Sequence, residues 1–233
     1  MNVKGILFDS GDTLVFPKGG SWWPGPDFHA ILQRHGISGS DVSPGKLKLA
    51  LAEGEKCLQL SHPIVDCGEE KDVFRAYYRV VCRNLGFADI DDQVIEDLAC
   101  AYVDGCSLEL YQDTVETLER LTKKGVTLGI LSDAWPSLER KYVTLGIRGY
   151  FTSFTISAAV GCSKPDDRVY HRAVRDIGID AESLLFVDDD TENVRAAIRV
   201  GMKGAVILGD RKTVVAADIP VIMNLGDIFM ILS

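Results

Sequence analysis

From about Val126 onward, short apolar runs alternate with longer amphipathic stretches. The runs VTLGIL (126–131), SFTIS (153–157), LLFV (184–187) and GAVIL (204–208) are rich in β-branched and aliphatic residues, as strands buried on both faces must be. Between them SLERKYVTLG, DDRVYHRAVRDIG and TENVRAAIRVG space their apolar residues for one face of a helix. The last two run into a glycine that can close the helix. Strand and helix in alternation predict a parallel, doubly wound sheet. The opening run VKGILF (3–8) is a further strand of the same kind.

Residues 21–105 follow a different rule. They show no strand pattern but four helical ones: PDFHAILQRHG, SPGKLKLALAEGEKCLQL, EEKDVFRAYYRVVCRNLG and DDQVIEDLACAYVDG, with glycine, proline and serine breaks at 36–45 and 61–68. A connection this long is no ordinary loop, so it predicts a helical module inserted after the first strand. The expected architecture is therefore α/β. A Rossmann-like doubly wound core of residues 1–16 and 106–233 carries an all-helical domain of residues 17–105. The stripe Val73, Tyr77, Val80, Val81 is the expected core of that domain. Trp22 and Trp23, where the chain leaves the core, are expected to pack, with contact to a substrate as the alternative.

Composition narrows the function classes. The chain has 233 residues, 46% of them hydrophobic, enough to build a core and to exclude global disorder. Its longest uncharged stretch, Gly149 to Ser163, falls short of the ~20 apolar residues of a membrane span. An acid at Asp9 interrupts any signal-peptide pattern, so no membrane association and a cytoplasmic location are expected. Lys and Arg number 25 against 34 Asp and Glu, a net charge of −9 that repels nucleic acid and anionic lipid. Six cysteines without a CxxC pair predict buried, reduced thiols. The four histidines, 29, 35, 62 and 171, have no metal-ligand spacing.

The candidate chemistry lies where strands stop. VKGILF ends in Asp9, VTLGIL in Ser132, and LLFV in Asp188-Asp189-Asp190. In an open parallel sheet with right-handed crossovers the carboxyl ends of the strands share one edge, and ligands bind there. Carboxylates with one hydroxyl at such an edge suit Mg²⁺, which takes oxygen ligands and substrate phosphate. Lys164, in the segment GCSKPD, supplies a positive charge.

With these residues in view, the chain resembles the haloacid-dehalogenase-like superfamily. The four motif regions stand in order as ILFDSGDTL, ILSDAW, GCSKPD and LLFVDDDTENVRAA, and the insertion between the first two looks like that family's helical cap. The resemblance implies a hydrolase, in most members a Mg²⁺-dependent phosphatase acting on a small phosphorylated metabolite, as a monomer or homodimer. It implies that Asp9 is the nucleophile, giving an aspartyl-phosphate that water hydrolyses. Ser132 would bind a phosphate oxygen, and Lys164 would neutralise the nucleophile and the transferring phosphoryl group. Mg²⁺ would be held by Asp9, the Gly11 carbonyl, Asp188 and Asp189, with Asn193 orienting the acidic loop and Asp190 capping the helix.

One position departs from the pattern. Family phosphatases read Asp-x-Asp, the second Asp serving as general acid and base; here Gly11 takes that place, and an acid follows at Asp12. The proton donor is lost unless Asp12 replaces it, and such a donor is typically worth ~10²–10⁴-fold. Two other readings compete. A 2-haloacid dehalogenase also lacks the second Asp, but carries an aromatic residue there and serines where this chain has Asp188 and Asp189. A non-catalytic member binding a phospho-ligand or a partner protein rests on Gly11 alone.

Overall fold

The computed structural model describes residues 3–25, 27–38, 42–59, 62–209 and 218–232. Pro26, residues 39–41, Leu60 and Ser61, which fall at predicted helix margins and breaks, lie outside the described residues. The strands are β1 (Gly5–Phe8), β2 (Val15–Pro17), β3 (Leu108–Leu110), β4 (Thr127–Ser132), β5 (Ser153–Ile156), β6 (Leu184–Asp188), β7 (Lys203–Ile207) and β8 (Val221–Ile222). The helices are α1 (Phe28–Arg34), α2 (Pro44–Glu55), α3 (Cys67–Asn84), α4 (Asp92–Asp104), α5 (Thr114–Lys123), α6 (Ser137–Thr144), α7 (Ser157–Val160), α8 (Asp167–Ile177), α9 (Thr191–Arg199) and α10 (Ile228–Leu232). The chain divides into two compact units, Pro17–Leu108 and Met1–Phe16 with Glu109–Ser233.

In the second unit six strands form one sheet, in the order β5-β4-β1-β6-β7-β8, and every pairing is parallel. The fold is the Rossmann-like α/β architecture. All four residues of β1 are buried, which is why the run admits no polar side chain. Behind it, Leu7, Leu131, Tyr170, Phe186, Val194 and Val206 belong to one apolar cluster, each large side chain contributing roughly 1.5–3 kcal/mol on burial. Gly204 lets α9 lie close on β7, because a Cβ there would run into Val194 and Ile198. The connections wind away from β1 in both directions, which opens a crevice at its carboxyl end.

The short strands β2 and β3 pair with each other. Three residues each is too little for period-two alternation to show in the sequence. The unit Pro17–Leu108 holds α1 to α4. Its α3 begins on Asp66, whose carboxylate accepts from the N–H groups of Gly68 and Glu69. The buried face of α3 is Phe74, Tyr77, Tyr78, Val81 and Cys82, while Val73 and Val80 are half-buried. The predicted stripe is thus rotated, because aromatic rings have more area to bury than valines. Trp23 joins this cluster, stacked on Tyr102 with ring centroids 5.5 Å apart, whereas Trp22 is exposed.

All six cysteines are free, but only Cys82 and Cys162 are buried. The other four sit half-exposed, so the expectation of uniformly buried thiols is corrected: a thiol is small enough to be left at a helix margin at little cost. Among the described residues no helix is long and apolar enough to cross a membrane.

Candidate active site

Asp9 extends β1 by one residue. Its N–H donates to the Val187 carbonyl at 2.9 Å, so Asp9 and Asp188 leave neighbouring strands side by side. The Lys164 Nζ bridges them, 2.6 Å from Asp9 Oδ1 and 2.6 Å from Asp188 Oδ2. One oxygen each from Asp9, Asp188 and Asp189 lie within 4.8 Å of one another. Asp9, Lys164 and Asp188 are buried, and Asp189 is half-buried.

The acidic pair is fixed from the helix that follows. Asp188 Oδ1 accepts the Asp190 N–H at 2.7 Å, and Asn193 Nδ2 reaches both Asp188 oxygens at 3.3 and 3.2 Å. Tyr170 donates its hydroxyl to the Asn193 carbonyl at 2.9 Å. Asp190 caps α9 by accepting from the Glu192 N–H at 2.7 Å, which explains why three consecutive acids serve different ends.

On the other side of β1, Ser132 ends β4 and is buried. The neighbouring Asp133 accepts the Lys164 N–H at 2.9 Å and so sets the loop that presents the lysine. The sequence reading passed over Asp133, although an acid directly after a strand end was a usable signal. Ser10 was also passed over. Its hydroxyl accepts from Tyr142 at 2.8 Å, and its carbonyl accepts from the N–H groups of Leu14 and Val15, closing the turn that carries Gly11 and Asp12.

Asp12 does not enter the carboxylate cluster. It is the only non-glycine with positive φ (54°) among the described residues, whereas Gly11 lies outside that left-handed region. With Thr13, Tyr111, Asp113, Leu208 and Asn224, Asp12 borders a cavity of about 310 Å³ that none of Asp9, Ser132, Lys164, Asp188 and Asp189 lines. His35 pairs with Asp97 at 2.9 Å, and His171 is exposed on α8.

The electrostatics follow from burial and the shortage of positive charge. Burial pushes the Asp9 carboxyl up to about 7; Lys164 opposes this and Asp188 adds to it. Burial pulls the Lys164 ammonium down, but Asp9, Asp188 and Asp133 more than offset it and hold it above the ordinary lysine range. One cation therefore sits among three carboxylates. The arrangement offers a carboxylate nucleophile, a fixed ammonium and spare oxygen donors, at the crevice of a doubly wound sheet.

A Rossmann-like core with such a carboxylate–lysine centre at the end of its first strand defines a class of hydrolases. The chain belongs to the haloacid dehalogenase-like hydrolase family, whose model matches residues 72–207. It is 26% identical over 204 residues to a glyceraldehyde 3-phosphate phosphatase of Methanopyrus kandleri, covering 86% of this chain and 82% of that one. It is 32% identical over 205 residues to an (S)-2-haloacid dehalogenase of Pseudomonas putida, with the same coverage of each. A HAD phosphatase from Thermococcus onnurineus shares the fold over 99% of this chain and 98% of its own, with a TM-score of 0.67 and 21% identity. The protein is a hydrolase.

Proposed function

We propose that the protein is a Mg²⁺-dependent phosphatase of a small phosphorylated metabolite, working through an aspartyl-phosphate on Asp9. The observation that supports this is the pairing of Asp9 with both Lys164 and the buried acids Asp188 and Asp189. Three carboxylates around one ammonium leave excess negative charge in a buried place, and every spare donor is a hard oxygen, which fits Mg²⁺. Asp9, Asp188 and Asp189 would hold the ion, with the Gly11 carbonyl as the remaining protein ligand. When bound, it would supply charge neutralisation for the phosphoryl oxygens.

The chain's own residues do the rest. The Asp9 carboxylate attacks phosphorus, and the leaving group departs with the electron pair of its bond. Lys164 keeps Asp9 oriented and balances the charge on the transferring group, an interaction that costs little reorganisation because the lysine is already fixed by two carboxylates and the Asp133 contact. The Ser132 hydroxyl donates to a phosphoryl oxygen. Asn193 and Asp190 keep Asp188 from turning away. The net charge of −9 favours a small metabolite over nucleic acid as the partner.

The second reading is 2-haloacid dehalogenation, supported by the relative that is 32% identical and by Gly11. There Asp9 would attack carbon and expel halide, and a buried acidic pair beside it would repel the substrate carboxylate. Two assays decide. Phosphate release from phosphorylated metabolites should need Mg²⁺ and stop in EDTA. Chloride release from L-2-chloropropionate that is faster than any phosphate release would replace the phosphatase reading.

A further inference from the structure

Any alkyl phosphate ester must expel an alkoxide, and an alkoxide leaves slowly unless a proton reaches it in the transition state. The donors at this edge of the sheet are all committed elsewhere. Asp9 is the nucleophile, and Lys164 is shared between Asp9 and Asp188. Asp188 also accepts from Asp190 and Asn193. Asp190 caps α9 and Asp133 holds the backbone of Lys164. The residue two beyond the nucleophile is Gly11, which has no side chain, and Asp12 turns to a cavity that Asp9 does not line. Among the described residues of this unit no carboxyl is placed to protonate a leaving group on Asp9.

From this we infer that the substrate is a phosphate whose leaving group departs unprotonated: an acyl phosphate or another mixed anhydride of phosphoric acid. The inference rests on the phosphatase reading and narrows it. With an acyl phosphate, an Asp9 oxygen forms a bond to phosphorus while the acyl–oxygen to phosphorus bond breaks. The electron pair goes to the departing carboxylate, which is stable without a proton. Water then attacks phosphorus, the electron pair of the Asp9 oxygen to phosphorus bond returns to Asp9, and the water proton stays with the phosphate product. Both steps balance with no further reactant.

Because hydrolysis of the aspartyl-phosphate is common to all substrates, kcat/KM for the first transfer is the quantity that reads the leaving group. The test compares acetyl phosphate with glyceraldehyde 3-phosphate, the alkyl ester that names the Methanopyrus kandleri relative, and with aryl phosphates of graded acidity, all with Mg²⁺. The expected result is kcat/KM for acetyl phosphate at least ~10²-fold above the alkyl ester, with a steep dependence across the aryl series. The φ of Gly11 admits a side chain, so Gly11→Asp should raise the alkyl rate by up to ~10²-fold and leave acetyl phosphate within a few-fold. Equal kcat/KM on acyl and alkyl phosphates in the wild type overturns the inference, as does a flat aryl series, whether or not Gly11→Asp folds. Absence of turnover on every phosphate overturns the phosphatase reading itself, and the inference with it.

Discussion

The phenol of Tyr142 donates to the Ser10 hydroxyl at 2.8 Å across 132 residues of chain. Tyr142 is fully buried, with its ring wedged against Phe151 and Phe154. The bond therefore ties the residue after the nucleophile to the wall formed by α6 and β5. Since Ser10 also closes the following turn through its carbonyl, one phenol anchors the whole segment from Asp9 to Val15.

Tyr142→Phe keeps the ring and removes this anchor. It leaves the buried Ser10 hydroxyl short of a partner, at a cost of about 1–3 kcal/mol in stability. The looser nucleophile should lower kcat about tenfold while KM changes less. Ser10→Ala added to Tyr142→Phe should cost almost nothing more, because the two groups act as one contact. Denaturant titration and steady-state kinetics on the three variants check this; additive losses would show that the two side chains act separately.

Lys164→Met should be the most damaging single change at the site. It removes the charge that separates Asp9 from Asp188 and leaves buried carboxylates facing each other, worth about 3–5 kcal/mol. Activity should fall about 10³-fold or more. The stability deficit should shrink as the pH is lowered and the carboxylates protonate. Thermal melts at pH 5 and pH 8 measure it; an equal deficit at both would mean that the lost packing dominates.

The raised Asp9 carboxyl carries its own pH signature. Its folded value of about 7 lies above the ordinary 3.8, so between these two the folded protein holds more protons than the unfolded chain. The stabilisation from this group is complete below pH 3.8 and is lost as pH rises through 7. A divalent cation competes with that proton. Added Mg²⁺ should raise the melting temperature more at pH 8 than at pH 6, by an amount equivalent to about 2.7 kcal/mol at a hundredfold excess over its Kd. Asp189→Ala should abolish the shift, and a shift that is independent of pH would separate ion binding from Asp9.

Asp12 is held at φ 54°, a region that Asp tolerates and Ala does not. Asp12→Gly should therefore leave the melting temperature unchanged or higher, and Asp12→Ala should cost about 1–2 kcal/mol. Neither should reduce kcat/KM on acetyl phosphate more than twofold. A large loss of activity in both, with normal melts, would make Asp12 a proton donor after all.

Much of this was legible along the chain. The strands were, because a buried parallel strand tolerates no polar residue and so announces its end where Asp9, Ser132 and Asp188 appear. Convergence of those ends followed from the handedness of the crossovers. The direction of Asp12 was not legible, since it depends on one backbone angle in a six-residue turn. Nor was the Tyr142–Ser10 contact, as a buried tyrosine on a helix reads as packing whatever its hydroxyl meets. The rotation of α3, which buries Phe74 and Tyr78 in place of Val73 and Val80, depended on ring packing that spacing alone does not rank. Asp133 could have been read from its place beside Ser132.

The central claim is that Asp9 becomes phosphorylated. Mixing the enzyme with acetyl phosphate and Mg²⁺, quenching in acid within the first turnover and mapping the peptides by mass spectrometry tests it directly. The account predicts a phosphoryl adduct on the peptide 5–18 at Asp9, absent in Asp9→Asn and discharged on longer incubation. Phosphate release with no adduct at any time, together with turnover retained in Asp9→Asn, would contradict it.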